Sequence, residues 1–448
     1  MKMIRWVMVP VGILGSLIGL PQGRAIATPF PRVDDLAEPH LRAEQPQPPE
    51  ELTRVERLQA DLNLGQSTLQ PRVSALENQV NTLEAQQFSP TTLLQGEAVM
   101  GLVGVAGTMR ADRDKPLESR PSLGYRIRLN FTTSFTGRDT LRFRLQSRDI
   151  PELEEVTGTQ MANLGFDGLT NQKVEMDRLD YETKLTPNLQ AKLLVIGGGL
   201  GDFVPTVNPL FSSSGSGSIS NFGRENPIRR LADSPGLGLS YDVTRQVNLA
   251  LGYVAPRGND PEQGLFGGRY GAIAQITLKP QKALRLGLTY VRSFNGAGTG
   301  TGSELGEDPF DDESEAILTQ GLGAEVSWEI APNVVLGGRT GYLWATAQDL
   351  EARPTADIFT WSASLGLVDL GGKGNLAGFI VGTPPQVLRN QFDPNEVDAD
   401  AALHLELFYR MQINDFLAIT PGLIIIQNPE HRSSEPLYIG TIRTTLTF

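Results

Sequence analysis

A strict alternation of apolar and polar side chains over residues 124–148, GYRIRLNFTTSFTGRDTLRFRLQSR, most constrains the fold of this chain. Successive side chains of a β-strand point to opposite faces, so each of two runs here has one apolar and one polar face. A tight polar turn, residues 136–139, joins the runs and predicts a β-hairpin. One face carries Tyr125, Ile127, Leu129, Phe131, Leu141, Phe143 and Leu145, and the other carries Arg126, Arg128, Asn130, Arg142, Arg144 and Gln146.

Two kinds of protein use such a hairpin. In a soluble sheet the apolar face covers a core and the arginines are in water. In a transmembrane barrel the apolar face meets lipid and the arginines line a lumen. The mean hydropathy of −0.18 does not separate the two, because half of the strand residues of a membrane barrel also face water.

The organisation of residues 91–448 favours the barrel. Paired alternating runs are joined by short turns, and longer polar segments separate the pairs. Seven short turns and eight long loops predict sixteen strands, and this segregation is the signature of outer-membrane barrels. The short turns are residues 137–139, 187–188, 243–245, 280–282, 332–333, 371–373 and 414–415, and the long loops are 107–121, 150–173, 200–233, 256–267, 295–315, 347–356, 384–399 and 428–436.

The ends of the strands indicate how the barrel is oriented. The chain enters and leaves on the side of the short turns, which we expect to be periplasmic, and the closing strand ends at Phe448. Aromatic residues are expected at both membrane interfaces. We place Phe135, Tyr241, Trp328 and Phe448 near the short turns, and Tyr253, Tyr270, Tyr290, Tyr342 and Trp344 near the long loops. The run Ile424, Ile425 and Ile426 does not alternate, and Pro421 within the same strand predicts a bulge.

The N-terminal 90 residues read as three further segments. Residues 1–27 combine Lys2 and Arg5, an apolar run and a small-residue site at 25–27, which predicts a secretory signal peptide; a retained anchor helix is the alternative. Residues 28–50 are rich in proline and predict a periplasmic linker. Residues 51–90 predict a short α-helical coiled coil that breaks or kinks near Pro71. Its heptad d positions are Val55, Leu62, Leu69, Leu76 and Leu83, and its a positions include Leu52, Val73 and Val80.

Composition and motif searches exclude several functions. The net charge of −12 argues against a nucleic-acid partner, and the absence of cysteine excludes thiolate chemistry. The glycines of residues 197–201 lack the Lys-Ser/Thr of a phosphate loop, and the acidic segment 304–315 lacks the ligand spacing of a calcium loop. The histidines are scattered and no nucleophile–base pair stands out, so we predict no metal site, no cofactor and no enzyme. These histidines are His40, His404 and His431.

The polar faces of the first hairpins predict the lining of a pore. Rings of charged side chains set the ion preference of a channel, and opposed charges orient dipolar solutes; the alternative is that the charges only solvate the lumen. The predicted pore-lining residues are Arg126, Arg128, Arg142, Arg144, Arg178, Asp180, Glu182, Lys184 and Lys192. The third long loop has a length that suits a constriction folded into the pore, or else a flexible external loop. Its candidate residues are Asp202, Arg224, Glu225, Arg229 and Arg230.

Three motifs resemble one protein family. The segment FSPTTLLQGEAV (residues 88–99), directly after the predicted coil, is similar to the start of the barrel in cyanobacterial iron-uptake porins, which belong to the carbohydrate-selective (OprB-type) porin family. The segment RLNFTTSFTGRDTL (128–141) resembles the first hairpin of that family, and FGRENPI (222–228) resembles its third-loop motif. The resemblance spans roughly residues 52–448. In place of the surface-layer-homology domain that members usually carry before the coil, this chain has only the proline-rich segment.

The resemblance implies a homotrimeric outer-membrane porin in contact with lipid and lipopolysaccharide. The predicted fold class is all-β, a sixteen-stranded antiparallel barrel preceded by a coiled coil. The predicted function is passive diffusion of small hydrophilic solutes, with inorganic ions including iron favoured because most aromatic residues fall on the lipid face. The alternatives are a sugar porin and a structural tether to the peptidoglycan-linked wall. Trimer contacts are expected through Leu62, Leu69, Leu76 and Leu83 and through the barrel walls.

Overall fold

The computed structural model describes residues 54, 58–59, 62–63, 69–79, 92–113, 115–296 and 298–448. The predicted signal peptide, residues 1–27, and the linker, residues 28–50, lie outside the described residues. So does most of the predicted stalk at 51–90. Two compact units are distinguished, residues 1–78 and 79–448, and each is described by itself.

The second unit is a closed antiparallel β-barrel. In residues 92–113, 115–296 and 298–448, sixteen long strands each pair with their neighbours in sequence, and the first strand pairs with the last. A seventeenth strand of two residues, β4, pairs with β3 inside a long loop. The sixteen-stranded barrel expected from the alternation is therefore confirmed. The strands are β1 Thr92–Ala106, β2 Ser122–Thr133, β3 Asp139–Ile150, β4 Gly168–Leu169, β5 Glu175–Lys184, β6 Leu189–Ile196, β7 Gly236–Asp242, β8 Val247–Val254, β9 Tyr270–Gln281, β10 Leu284–Phe294, β11 Ile317–Ala331, β12 Val334–Ala347, β13 Thr355–Val368, β14 Leu376–Asn390, β15 Leu403–Gln412, β16 Leu417–Gln427 and β17 Leu437–Thr447.

The first hairpin forms in the register that the alternation requires. Leu129 of β2 lies opposite Leu145 of β3, and Arg128 lies opposite Gln146. Short turns follow every second long strand, and the long connections lie at the other end of the barrel. The eight long connections are residues 107–121, 151–174, 197–235, 255–269, 295–316, 348–354, 391–402 and 428–436.

The two faces of the wall differ as a membrane barrel requires. On β17, Ile442 is 44% exposed, whereas the adjacent Arg443 is fully buried, so the apolar side chain points outward and the charged one inward. The same holds on β2, where Ile127 is 42% exposed and Arg126 is 1% exposed. A charged residue can be buried here only because loop segments fill part of the barrel interior.

Two irregularities in the sequence have different structural outcomes from those expected. Pro421 produces no bulge, because β16 keeps one register against both β15 and β17 throughout. The register of β14 against β13 instead shifts near Pro384 and Pro385, which lie inside β14 and not in a loop. The isoleucine run does alternate in space. Ile424 and Ile426 point inward and pack on an apolar cluster of loop residues, so apolar side chains occur on both faces at this point.

The described helices of the barrel unit are all short and lie in the long loops. Among the described residues no helix has the length and apolarity that a membrane crossing needs. The α-helices are α1 Leu153–Thr157, α2 Pro209–Ser212, α3 Asn221–Arg224 and α4 Glu304–Glu307, and the 3-10 helices are Gln160–Ala162, Leu200–Phe203, Pro227–Arg230 and Pro429–His431.

In the described part of the first unit, residues 69–78 are helical. Residues 69 and 70 are helical ahead of Pro71, so the break expected there does not fall within this segment. Leu69, Val73 and Leu76 are each at least half exposed, which leaves an apolar stripe at helical spacing without a covering partner in the described residues. The coiled coil itself stays a prediction.

Candidate functional site

The third long loop, residues 197–235, lies inside the barrel. Its residues contact inward-facing side chains of strands all around the wall. Lys192 of β6 donates to the Asp202 carbonyl at 3.2 Å, and Gln275 of β9 donates to the Pro205 carbonyl at 2.8 Å. Asn226 of the loop donates to the Thr340 carbonyl of β12 at 3.0 Å. The loop therefore narrows the lumen from within.

Glycines of the wall make room for the apolar side chains of this loop. The Phe203 ring lies between β7 and β8, where a Cβ at Gly238 or at Gly252 would come within 2.2 or 2.3 Å of the ring. A side chain at either position would displace Phe203. Other glycines of the wall leave space for apolar loop side chains in the same way: Gly287 for Val207, Gly323 and Gly341 for Ile228, Gly366 for Leu210 and Gly422 for Ile219.

Two charged residues of the wall hold residues 214–220 of the loop, which we call the clamped segment. The buried guanidinium of Arg443 donates to the carbonyls of Ser214, Gly217 and Ser218 at 2.7–3.2 Å. The buried carboxylate of Glu406 accepts from the Ile219 N–H at 2.6 Å, from the Ser220 N–H at 3.2 Å and from the Ser218 hydroxyl at 2.9 Å. Charge-assisted hydrogen bonds of this kind are stronger than neutral ones. The positive guanidinium thus binds backbone carbonyls of the loop, and the negative carboxylate binds backbone N–H groups of the loop.

A polar cavity of about 1060 Å³ lies between this loop and the other long loops. Its side chains are charged or polar with one exception, Ile317, and no aromatic residue lines it. It is walled by the loop around Glu225, by Arg178 of β5 and by residues of the long loop 295–316. The charged lining residues are Arg178, Arg224, Arg229, Arg230 and Arg269, with Asp202, Glu225, Asp233, Glu307, Asp308 and Glu315.

A second space of about 20 Å³ shares four lining residues with the cavity. This smaller space lies towards the short turns, against β11, β12 and β13, and both spaces are lined by Thr206, Arg224, Glu225 and Arg229. We call these four residues, together with Arg230, Glu325 and Arg339, the narrow zone. All seven residues belong to the third loop or to the wall strands β11 and β12.

Two of the four arginines of the narrow zone form ion pairs with a carboxylate, and the other two do not. Arg230 Nε lies 2.9 Å from Glu225 Oε1, and Arg229 Nη1 lies 3.8 Å from Glu325 Oε2. Among the described residues, no carboxylate lies within 4.0 Å of the Arg224 or Arg339 guanidinium. Arg339 instead donates to the Phe222 and Gly223 carbonyls and lies over the Phe222 ring, 5.0 Å from its centre. The narrow zone therefore carries an excess of positive charge.

The loop residues expected from the sequence are brought together, but they have different roles. Asp202, Arg224, Glu225 and Arg230 line the cavity with part of their surface accessible. Arg229 is only 2% exposed and donates to the carbonyls of Gly201 and Val204, so it mainly holds the loop in place.

The strand residues expected to line the pore face inward, and most are paired with an acid or amide. Arg126 lies 2.8 Å from Glu97, and Arg144 lies 3.2 Å from Asp177. Of the expected set, only Arg178 lines the cavity, where it lies 2.6 Å from Asp202. The other contacts are Arg128 with Gln146, Arg142 with Asp180 and Lys192 with Glu182, while Lys184 is exposed at the short-turn end of β5.

Glu325, Arg339 and Arg443 are inward charges that the sequence did not lead us to predict. Glu325 and Arg339 are direct cross-strand partners on β11 and β12, and Arg443 lies on β17. Each is a charged residue at an inward position of a strand whose neighbours are small or apolar. That pattern is the sequence signal by which these three residues can be found.

The acidic segment of residues 304–315 folds back on its own loop. Glu307 accepts from the Gly300 and Gly302 N–H groups, each at 3.0 Å, and from the Thr299 hydroxyl at 2.9 Å. Burial raises the pKa of the Glu307 carboxyl. Within the described residues, no group of three or more histidines or carboxylates is arranged to hold a metal ion.

Comparisons with known proteins agree on the family and the fold. The model of the OprB family, described as carbohydrate-selective porins, matches residues 50–448. The uncharacterized protein sll0772 of Synechocystis sp. is 35% identical over 426 residues, covering 89% of this chain and 76% of that protein. The uncharacterized protein alr4550 of Nostoc sp. is 30% identical over 431 residues, covering 89% and 72%.

Two solved structures share the fold. OprB of Pseudomonas putida, determined at high pH, matches with a TM-score of 0.54 and 12% identity, covering 80% of this chain and 94% of that one. The anion-selective porin from Comamonas acidovorans matches with a TM-score of 0.53 and 13% identity, covering 80% and 99%.

Proposed function

The chain belongs to the OprB family of carbohydrate-selective porins, and from that premise we propose that it passes small hydrophilic solutes, sugars above all, across the outer membrane by passive diffusion. The long loops face the outside in this proposal and the short turns face the periplasm. Family and fold both point to a channel and not to an enzyme. Sixteen-stranded barrels are wide enough for an aqueous path.

The excess of arginine in the narrow zone is the observation that supports the choice of solute. Two arginines without an acidic partner make this passage unfavourable for cations, because rings of like charge repel them. Neutral hydroxyl-rich solutes can hydrogen-bond to guanidinium and carboxylate groups alike. The sugar alternative therefore accounts for the site better than the iron and other inorganic cations that we favoured from the sequence.

The absence of aromatic residues from the cavity lining favours a weakly selective channel. Sugar sites that bind tightly commonly stack the sugar on an aromatic face, and no such platform lines the described cavity. Discrimination would then come from size and hydrogen bonding. Anions are the second class of solute to test, because the same two arginines would attract them.

Conductance and swelling measurements test the proposal together. Purified protein in a planar bilayer should give discrete steps and, under a salt gradient, a reversal potential of the sign for anion preference. Proteoliposomes should swell in glucose and more slowly in sucrose. The Arg224→Gln variant should move the reversal potential towards zero.

A matched pair of substitutions distinguishes the narrow zone from the arginine-rich wall. Arg142→Gln with Arg144→Gln removes two inward arginines that do not line the cavity, so we expect a smaller shift than from Arg224→Gln. A larger shift of the reversal potential from the pair would indicate that the first hairpins, and not the narrow zone, set the ion preference. Correctly folded protein that neither conducts nor supports swelling would disprove the channel.

A further inference from the structure

The outer face of the barrel carries an apolar groove that has no part in the channel. Two adjoining depressions of about 670 and 350 Å³ run across β7 to β12 and share Leu251, Ala274 and Tyr290. Most of the side chains that line them are apolar and face outward.

Strand register explains why a groove forms at this place. Ala274 of β9 lies directly between Leu251 of β8 and Tyr290 of β10. One outward position nearer the long loops, Ala272 lies between Tyr253 and Arg292. Alanines therefore form a floor between larger side chains, and this floor continues across both depressions.

Arg292 stands at the long-loop end of this groove. It is the next outward residue of β10 beyond Tyr290, and its Nε donates to the Tyr270 hydroxyl at 3.5 Å. Among the described residues, no carboxylate lies within 4.0 Å of its guanidinium. Arg389, at the long-loop end of β14, differs because it is paired with Asp357.

The aromatic residues around Arg292 mark the depth at which it lies. Tyr270 stacks on Tyr253 with ring centres 5.9 Å apart, and on Phe294 with ring centres 6.0 Å apart. Such girdles lie at the boundary between acyl chains and headgroups. An unpaired cation at that boundary is favoured when an anionic headgroup lies against it.

We propose that this wall binds an anionic diacyl lipid, with an acyl chain in the groove over Ala272 and Ala274 and the headgroup against Arg292. The guanidinium suits a phosphate-type headgroup because its planar donors can form two parallel hydrogen bonds. The inference rests on the proposed outer-membrane location and is independent of what passes through the pore.

Native mass spectrometry of the full chain tests the site. The protein is reconstituted in phosphatidylcholine vesicles that contain a minor fraction of phosphatidylglycerol, and is then released with its retained lipids. We expect phosphatidylglycerol to be retained in preference to phosphatidylcholine. Arg292→Gln should weaken retention about fivefold, the effect of one basic side chain near an anionic membrane surface. Ala274→Phe should abolish retention by filling the groove.

Arg245→Gln is the matched control, because Arg245 lies in the exposed turn at the opposite end of the same wall. It should retain lipid as the unmodified chain does. Equal retention by the Arg292→Gln variant would overturn the proposal. The chain has no cysteine, so Ala274→Cys introduces a single thiol. Disulfide-linked dimers of that variant in vesicles would instead show that a second copy covers the groove, which also overturns the proposal.

Conductance measured on the same preparations separates this site from the channel. Arg292→Gln should conduct normally whether or not lipid is retained. A chain that retains lipid but does not conduct would disprove the channel and leave the lipid site standing.

Discussion

Glycine and charged residues of the inner wall determine, one residue at a time, where the third loop lies. Gly252 and Gly238 provide the space for the Phe203 ring, while Arg443 and Glu406 bind the backbone of the clamped segment. The glycines position the loop by leaving space for a side chain, and the two charged residues position it by hydrogen bonds to its backbone. Its position therefore depends on several single residues that lie far from it in sequence.

Gly252→Val should loosen the third loop. The new side chain would overlap the Phe203 ring, and overpacking a filled site costs about 1–3 kcal/mol of stability. Denaturant unfolding in vesicles, followed by tryptophan fluorescence, measures the cost, and open-channel noise in bilayers reports the displaced loop. Gly440→Val is the control, because no atom lies within 4 Å of a Cβ there. Equal effects of the two variants would show that Gly252 does not provide the space for the Phe203 ring.

Glu430 should make the stability of the long loops depend on pH. Its Oε2 accepts from the Glu304 N–H at 2.6 Å, its neighbours include Asp398, His431 and Arg432, and burial raises the pKa of its carboxyl to about 7. The folded state thus holds this proton more tightly than the unfolded chain does. Stability is greatest below the ordinary pKa of 4.5 and falls, by up to about 3 kcal/mol, as the pH rises to about 7.

The Glu430→Gln variant keeps an acceptor for the Glu304 N–H and cannot ionise. Its free energy of unfolding should vary less between pH 5 and about 8 than that of the unmodified chain. Asp398, whose pKa is raised to about 6 by burial, contributes a smaller slope of the same sign that remains in the variant. Identical pH profiles would show that Glu430 does not carry this dependence.

The third loop is the structural element that narrows the barrel, and in the proposed channel it would make the path selective. It folds as short helical turns because Asn208, Ser220 and Asn226 cap them with side-chain oxygens. None of these turns is long enough to be stable alone. Attachment to the wall is therefore what fixes the narrow zone.

Arg443→Met should release the clamped segment and widen the channel. Three loop carbonyls lose a charged donor, and a hydrogen bond to a charged group contributes about 1.5–3 kcal/mol. We expect higher and noisier single-channel conductance and faster swelling in sucrose. Lys373→Met, in an exposed short turn, is the control. Unchanged conductance would mean that the loop holds its position without the clamp.

The strands could be predicted from the sequence, whereas the path of the third loop could not. Alternation reports which side chains share a face, as for Arg126 and Ile127, but not what each face meets. Ile424 and Ile426 looked irregular because the inward face of β16 packs on loop residues distant in sequence. The roles of Arg224 and Arg229 differ for the same reason, since burial by distant segments decides which guanidinium remains accessible.

At the scale of the whole molecule, closure of the barrel joins the two ends of the strand sequence. The Gly96 N–H donates to the Phe448 carbonyl at 2.6 Å, and the Phe448 N–H donates to the Gly96 carbonyl at 3.0 Å. Closure pairs the first strand with the last, so neither terminal strand is left with a free edge in lipid. The wall and its loops then form one unit. Association with further copies would depend on the outer surface of the wall and on the predicted stalk.

The predicted stalk should determine how many barrels act together. Leu69 and Leu76 lie one heptad apart on the described helix and are 59% and 60% exposed, as expected of a stripe that another helix covers. In the predicted trimer, Leu69→Gln with Leu76→Gln should therefore favour smaller species in native mass spectrometry, and the conductance steps expected in threes should become single steps. Glu77→Gln, an exposed change on the same helix, should leave the assembly intact. If trimers persist in the double variant, the barrel walls alone hold them together, and the exposed stripe has a different partner.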